Sequence, residues 1–191
     1  MKVQNYFYNC SPEFIYSIDK NLFLEIIQII SKLSKRNTQK EINFDFFWLL
    51  TRKGWSYDTL PASLTDTIQK NSNSIKLSEV KKNNKRSLCK TSSTIAAKWS
   101  ADFAKLYDNK LVQIEVQFGK IESMFKDFCG FKIAFFEKRL TLGIEIVLCE
   151  PNKYFSHRKE TISGMANFEI AKNTLPAIGL NCPIWLVGIY E

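Results

Sequence analysis

The chain has 191 residues, 45% hydrophobic and 14% aromatic, with 27 Lys+Arg against 19 Asp+Glu for a formal net charge of +8. Its length suits one domain over residues 1–191, and its apolar content excludes a disordered chain. A basic surplus of this size suggests a polyanionic partner, nucleic acid before an anionic membrane surface, although plain solubility charge gives the same count.

In chain order, residues 2–8 read as a short strand, and Ser11-Pro12 supplies an N-cap and first-turn signal. The segment 20-KNLFLEIIQIISKLSK-35 places Leu22, Ile26, Ile29, Ile30 and Leu33 at helical spacing and ends in 35-KRNTQK-40. A second helix is expected over 42–53, stopped by Gly54, with Pro61 breaking any continuation. Between Glu79 and Asp102 there is no acidic residue. There 81-KKNNKRSLCK-90 reads as a loop whose cations, Lys85 and Arg86 among them, are either solvated or in contact with phosphate. A helix is expected over 120–138, where Ile121, Met124, Phe125, Phe128, Phe131, Phe135 and Phe136 recur at three- and four-residue spacing, with Gly130 its weak point. That stripe reads first as core and second as a dimer seam. The apolar run 140-LTLGIEIVLCE-150 is a buried strand, 154–169 a polar loop, and 183-PIWLVGIYE-191 a closing buried strand. Helices interleaved with a largely buried sheet make the class α/β.

Several chemistries lack their motifs. The five cysteines are widely spaced with no Cys-x-x-Cys, so neither a zinc site nor a disulfide framework is indicated, and the reduced thiols of a cytosolic protein are expected. The N-terminus MKVQNYFYNC has no apolar run behind a basic region, and no window approaches the ~20 apolar residues of a spanning helix. A soluble cytoplasmic protein without a membrane partner follows as the expectation. His157 stands alone with no nucleophile motif, and neither GxGxxG nor GxxxxGK[ST] is present. An enzyme of this composition would work through carboxylates.

The informative stretch is 99-WSADFAKLYDNKLVQIEVQFGK-120. Val112, Ile114, Val116 and Phe118 alternate with Gln113, Glu115 and Gln117, the pattern of a strand. With Asp108-Asn109 as a two-residue tip, Phe103 meets Ile114, Asp102 meets Glu115 and Ser100 meets Gln117. Directly opposed residues share a face with Cβ atoms roughly 5 Å apart, so Asp102 and Glu115 repel unless a cation lies between them. Oxygen ligands with room for waters and a phosphate suit Mg²⁺. The alternative is a half-exposed hairpin whose acids pair with lysines, and a longer turn would bring Asp108 forward in place of Asp102.

An Asp at the start of a hairpin followed by Glu-x-Lys on the return strand marks the PD-(D/E)xK nucleases. Asp102 with Glu115-Val116-Gln117 resembles the variant in which Gln replaces Lys. The string EVQFGK, the aromatic-rich helix after it, GIEIVLCE, Gly54-Trp55 and PIWLVGI are together similar to type II restriction endonucleases of the BglII/BstYI group. The resemblance implies a restriction-endonuclease-like core, a central mixed β-sheet flanked by helices. It also implies a homodimer cutting both strands of palindromic double-stranded DNA, a GATC-centred site, 5′-phosphate and 3′-hydroxyl ends, and a methyltransferase of the same specificity. Asp102, Glu115 and the Val116 carbonyl would hold Mg²⁺, and Gln117 would orient the attacking water. An upstream polar residue is expected as well, with Asn84 or Asn83 the candidates. DNA contacts are expected from Lys120, Ser156, His157, Arg158, Ser163, Asn167, Lys85 and Arg86. Two other readings stand beside this one: a non-catalytic DNA-binding protein on a nuclease-like fold, and a repair or RNA-processing nuclease.

Overall fold

Six strands form one mixed sheet in a computed structural model that describes residues 1–36, 38–61, 77–94, 99–155 and 164–190. The strands are β1 (Lys2–Tyr8), β2 (Ser56–Tyr57), β3 (Phe103–Tyr107), β4 (Lys110–Val116), β5 (Leu140–Leu148) and β6 (Ile184–Tyr190). Their spatial order is β1-β6-β5-β4-β3-β2; β4, β5 and β6 run parallel, and every other pairing is antiparallel. The helices are α1 (Pro12–Ile18), α2 (Leu22–Ser31), α3 (Gln39–Thr51), α4 (Leu77–Asn83), α5 (Ile121–Phe136), α6 (Pro151–Tyr154) and α7 (Phe168–Ala177). None of the described helices is long and apolar enough to cross a membrane.

Local signals explain most boundaries. Ser11 caps α1 by accepting the Phe14 N–H, with Pro12 in the first turn. Thr38 caps α3 by accepting the Glu41 N–H at 3.3 Å and donating to Glu41 Oε2 at 2.8 Å. Gly54 takes a φ of +80° just beyond α3, the left-handed turn that Gly makes without strain. The second helix begins three residues earlier than its apolar spacing suggested, because the cap lies inside the polar stretch 35–40.

The sheet is covered on both faces. Ile26, Ile30, Phe46, Phe47 and Leu50 of α2 and α3 pack on one, against Ile114, Ile144 and Trp185. Met124, Phe128 and Phe131 of α5 and Phe168, Ala171 and Leu175 of α7 pack on the other, with Val147, Ile184 and Leu186. α5 and α7, the main helices of the two crossovers between parallel strands, therefore share one face, as successive crossovers of one hand require. Gly143 makes this seating possible, since a Cβ there would lie 2.9 Å from Phe131 Cγ.

Three expectations are corrected. The basic window contains α4 and a single 3-10 turn at Arg86–Leu88, so it is partly helical. The polar segment 154–169 ends in α7, whose N-cap is Asn167. The helix expected over 120–138 forms as Ile121–Phe136 and continues through Gly130, where Thr91 Cγ2 lies 3.2 Å from where a Cβ would sit. Ser100 does not face Gln117. It bridges Lys90 in antiparallel fashion, because the chain leaves β4 at Asp102 to join the segment 89–91, with Ala101 N–H donating to Cys89 O at 2.8 Å.

Candidate active site

The hairpin turns at Asp108-Asn109, and its ladder pairs Phe103 with Ile114 through Tyr107 with Lys110, the register read from the alternation. Asp108 has φ +54° and Asn109 is not in the positive-φ region, so the turn is closer to type II′ than to type I′. Asp108 lies at the exposed tip, remote from Glu115, which leaves Asp102 as the acid opposite Glu115.

Two backbone hydrogen bonds hold the acid pair. Asp102 N–H donates to Glu115 Oε2 at 3.1 Å, and Val116 N–H donates to Asp102 Oδ2 at 3.0 Å. Each carboxylate is thereby fixed by one oxygen while its other oxygen has no hydrogen bond among the described residues. Asp102 keeps an exposed surface, whereas Glu115 is 6% exposed.

The polar side of β4 is buried, contrary to a half-exposed hairpin. Gln113 is 0% exposed and its Nε2 donates to the carbonyls of Leu88, Cys89 and Lys90, tying the end of the basic window to the sheet. Gln117 Nε2 donates to Asp127 Oδ2 at 2.9 Å, and Gln117 Oε1 accepts the Gly119 N–H at 2.9 Å. A Cβ on Gly119 would lie 2.8 Å from Gln117 Oε1, so the glycine lets the amide fold back on its own strand. Glu145 of β5 is in register with Glu115 on the same face. It is 0% exposed, and neither of its oxygens has a hydrogen-bond partner among the described residues.

The electrostatics follow from this crowding. Desolvation first, and then the nearby Asp58 charge, raise the Asp102 acid to about 6, against the Val116 N–H and Lys126, which lower it. Desolvation is the first cause although Asp102 keeps an exposed surface. Asp127 is likewise raised to about 6, by desolvation and by Asp102. Glu115 is raised well above the usual carboxylate range by burial and then by Asp102, Asp127 and Glu145. Glu145 is raised by burial, then by Asp127 and Asp102. A protein with surplus positive charge thus concentrates negative groups at one point, the condition under which a cation is held.

Among the described residues, no group of three or more His, Cys, Asp and Glu side chains could hold a metal ion. A cation at Asp102 and Glu115 would need a backbone carbonyl and waters to complete its shell. Mg²⁺ fits that donor set, since it takes oxygen ligands, keeps several waters and is commonly bound through one or two carboxylates. The free oxygens of Asp102 and Glu115 would be the two carboxylate donors.

The remaining sequence candidates divide. Lys120 is exposed at the N-cap position of α5, directly after the site strand. Lys85 is exposed, whereas Arg86 is held by Asp58 at 2.9 Å. Asn84 donates to Tyr57 O at 3.0 Å and accepts from Tyr57 N–H at 2.9 Å, so its amide is committed to the edge strand β2. Asn83 lines a different cavity, with Arg52 and Trp55. Asn167 uses its side-chain oxygen to accept the Ile170 N–H at 3.1 Å. Ser156, His157, Arg158 and Ser163 lie outside the described residues. Asp127, Glu145 and Lys126 escaped the sequence reading; the only signal for Asp127 was its place one residue before the buried Phe128 in the aromatic stripe.

The family model for the restriction endonucleases BglII/BglIII matches residues 3–189. No curated protein matches the chain.

Proposed function

Because the chain belongs to the BglII/BglIII restriction endonuclease family, a family of DNA hydrolases, we propose that it is a Mg²⁺-dependent type II enzyme. It acts as a homodimer and cuts both strands of double-stranded DNA at a short GATC-centred palindrome, leaving 5′-phosphate and 3′-hydroxyl ends. The observation that carries the catalytic reading is the Asp102–Glu115 pair, with each carboxylate fixed by one backbone N–H and left one free oxygen. Asp102, Glu115 and the Val116 carbonyl would hold the ion. When bound, it polarises the scissile phosphate and lowers the pKa of an attacking water.

The chain's own groups position the reaction. Gln117 has one Nε2–H left after donating to Asp127, and that hydrogen is available to a water or a phosphate oxygen. Held by Asp127 and by Gly119, the amide loses little rotamer freedom when it engages substrate. A neutral amide cannot replace the charge of a lysine, so the exposed Lys120 and Lys126 supply positive potential beside the acids. The segment 156–163, with His157 and Arg158, is the proposed source of base contacts, Arg being the commonest reader of guanine. A cytoplasmic location and a methyltransferase protecting the same site complete the proposal.

The test is digestion of unmethylated phage-sized DNA by purified protein with Mg²⁺ and with EDTA. Discrete fragments only with Mg²⁺ are expected, and their ends give the site. Asp102→Ala and Glu115→Ala should lower the cleavage rate by at least 10²-fold while sequence-specific binding is kept or improved, since a charge that repels phosphate is gone. Near wild-type cutting by either variant would show that other acids do the work. A salt-sensitive gel shift without cleavage would make the protein a binding module.

A further inference from the structure

We propose that Asp58 is a positioning residue, which holds Arg86 so that its guanidinium grips the DNA phosphate next to the scissile one. The inference rests on the reading of Asp102 and Glu115 as the catalytic acids, and deepens it. It starts from β2, whose two residues pair Ser56 with Ala104 and Tyr57 with Phe103. The ladder goes one step further, because Asp58 N–H donates to Asp102 O at 3.1 Å. Asp58 therefore stands beside Asp102, at the outer end of a row that runs across the sheet through Glu115 to Glu145. For Asp102 this neighbour is only a burden: after burial, the Asp58 charge is what raises it. The cation that Asp58 holds gives it a use.

Arg86 Nε donates to Asp58 Oδ1 at 2.9 Å, while Thr59 Oγ1 donates to Oδ2 at 3.0 Å. The terminal nitrogens of Arg86 make no hydrogen bond among the described residues, and its side chain is 67% exposed. Arg36 shows the other arrangement, gripping Asp45 with Nε at 2.7 Å and Nη2 at 2.9 Å. An arginine that serves its own ion pair takes that two-pronged form. Arg86 commits one N–H and keeps the rest of its fork for a second anion. As a surface ion pair alone it would add little stability. The backbone on both sides of Arg86 is pinned. Asn84 bonds Tyr57 in both directions, Lys85 N–H donates to Ser56 Oγ at 3.1 Å, and Gln113 holds the carbonyls of Leu88, Cys89 and Lys90. The guanidinium is thus fixed at its root with its outer edge open, as a phosphate clamp requires. A cation at Asp102 and Glu115 would take the scissile phosphate itself. Asp58 stands one strand further out, roughly 4.8 Å away, and Arg86 beyond it, so the phosphodiester it meets is the neighbouring one.

The experiment is single-turnover cleavage by the full chain of a duplex carrying its mapped cut site. The same duplex is then made with a neutral methylphosphonate at each phosphate flanking the cut in turn, and wild type, Arg86→Ala and Asp58→Asn are compared. At one of the two positions the neutral linkage should slow wild type about tenfold, the loss of a charge-assisted contact. Arg86→Ala should already be slower on the natural duplex, and the same substitution should slow it further by less than about twofold, because the contact is gone. Asp58→Asn should behave like Arg86→Ala in both respects, although removing an acid near DNA would by itself strengthen binding. A wild-type enzyme indifferent to both neutral linkages overturns the inference, and so does full sensitivity in Arg86→Ala. Full sensitivity in Asp58→Asn overturns the role of Asp58 whatever its rate; that variant keeps the side chain's shape and decides the question even where Arg86→Ala fails to fold. A wild-type chain that cuts no DNA removes the catalytic reading of Asp102 and Glu115 along with it, whereas cutting with unaltered sensitivities removes this inference alone.

Discussion

At the scale of single residues, the site is an accumulation of acids that the fold tolerates at a cost in stability. Asp102 and Asp127 have an ordinary value of 3.8 and are raised to about 6 in the folded chain. The folded state therefore holds protons that the unfolded chain has already released. Their contribution to stability is fully present below about pH 4, is lost as pH rises toward about 6, and does not return above it. In the absence of divalent cations, the unfolding temperature should fall between about pH 5 and about pH 7.5, and Mg²⁺ should restore part of the loss at the higher pH. Asp102→Asn should be more stable than the parent at the higher pH without metal. A flat profile in differential scanning calorimetry, with no metal effect, would mean that these acids are not strained by one another.

At the scale of elements, β4 gives each polar residue of its buried face a separate partner. Gln113 holds the backbone of residues 88–90, Glu115 meets the start of β3, and Gln117 meets α5. The strand is thus the strut to which the basic window, the hairpin and the long helix are tied. Gln113→Leu keeps the volume but leaves the carbonyls of Leu88, Cys89 and Lys90 without this donor. A loss of about 1–3 kcal/mol is expected, read from urea unfolding. Because Gln113 touches neither Asp102 nor Gln117 through any described hydrogen bond, cleavage by the folded variant should stay within a few-fold of wild type. A large rate loss at unchanged stability would place the basic window in the chemistry.

At the scale of the whole molecule, a chain of formal net charge +8 surrounds a locally negative site. On the proposed reading, the long-range field attracts DNA and the local field repels phosphate in the absence of a cation. Lys120 and Lys126 are both exposed near the acids, and Lys126 stands close enough to lower Asp102 and Asp127. Lys120→Ala and Lys126→Ala should each reduce the slope of log binding constant against log salt by about 1, uniformly across DNA sequences. If either changes affinity for one base pair alone, that lysine reads sequence.

The sequence by itself determined the strands β1, β4, β5 and β6, the helices α2 and α5, and the Asp102–Glu115 pair. Each is written in a local period, two for strands and 3.6 for helices, and a two-residue turn carries the register from one strand to the next. Only the tertiary structure brought up Glu145 and Asp127. Glu145 reaches Glu115 through parallel pairing across a crossover, and Asp127 reaches Gln117 because α5 folds back over the sheet. Those contacts join residues whose separation along the chain no period encodes. They exist because helices must bury their apolar stripes on one sheet, which brings Asp127 of α5 over the buried polar residues of β4 and β5.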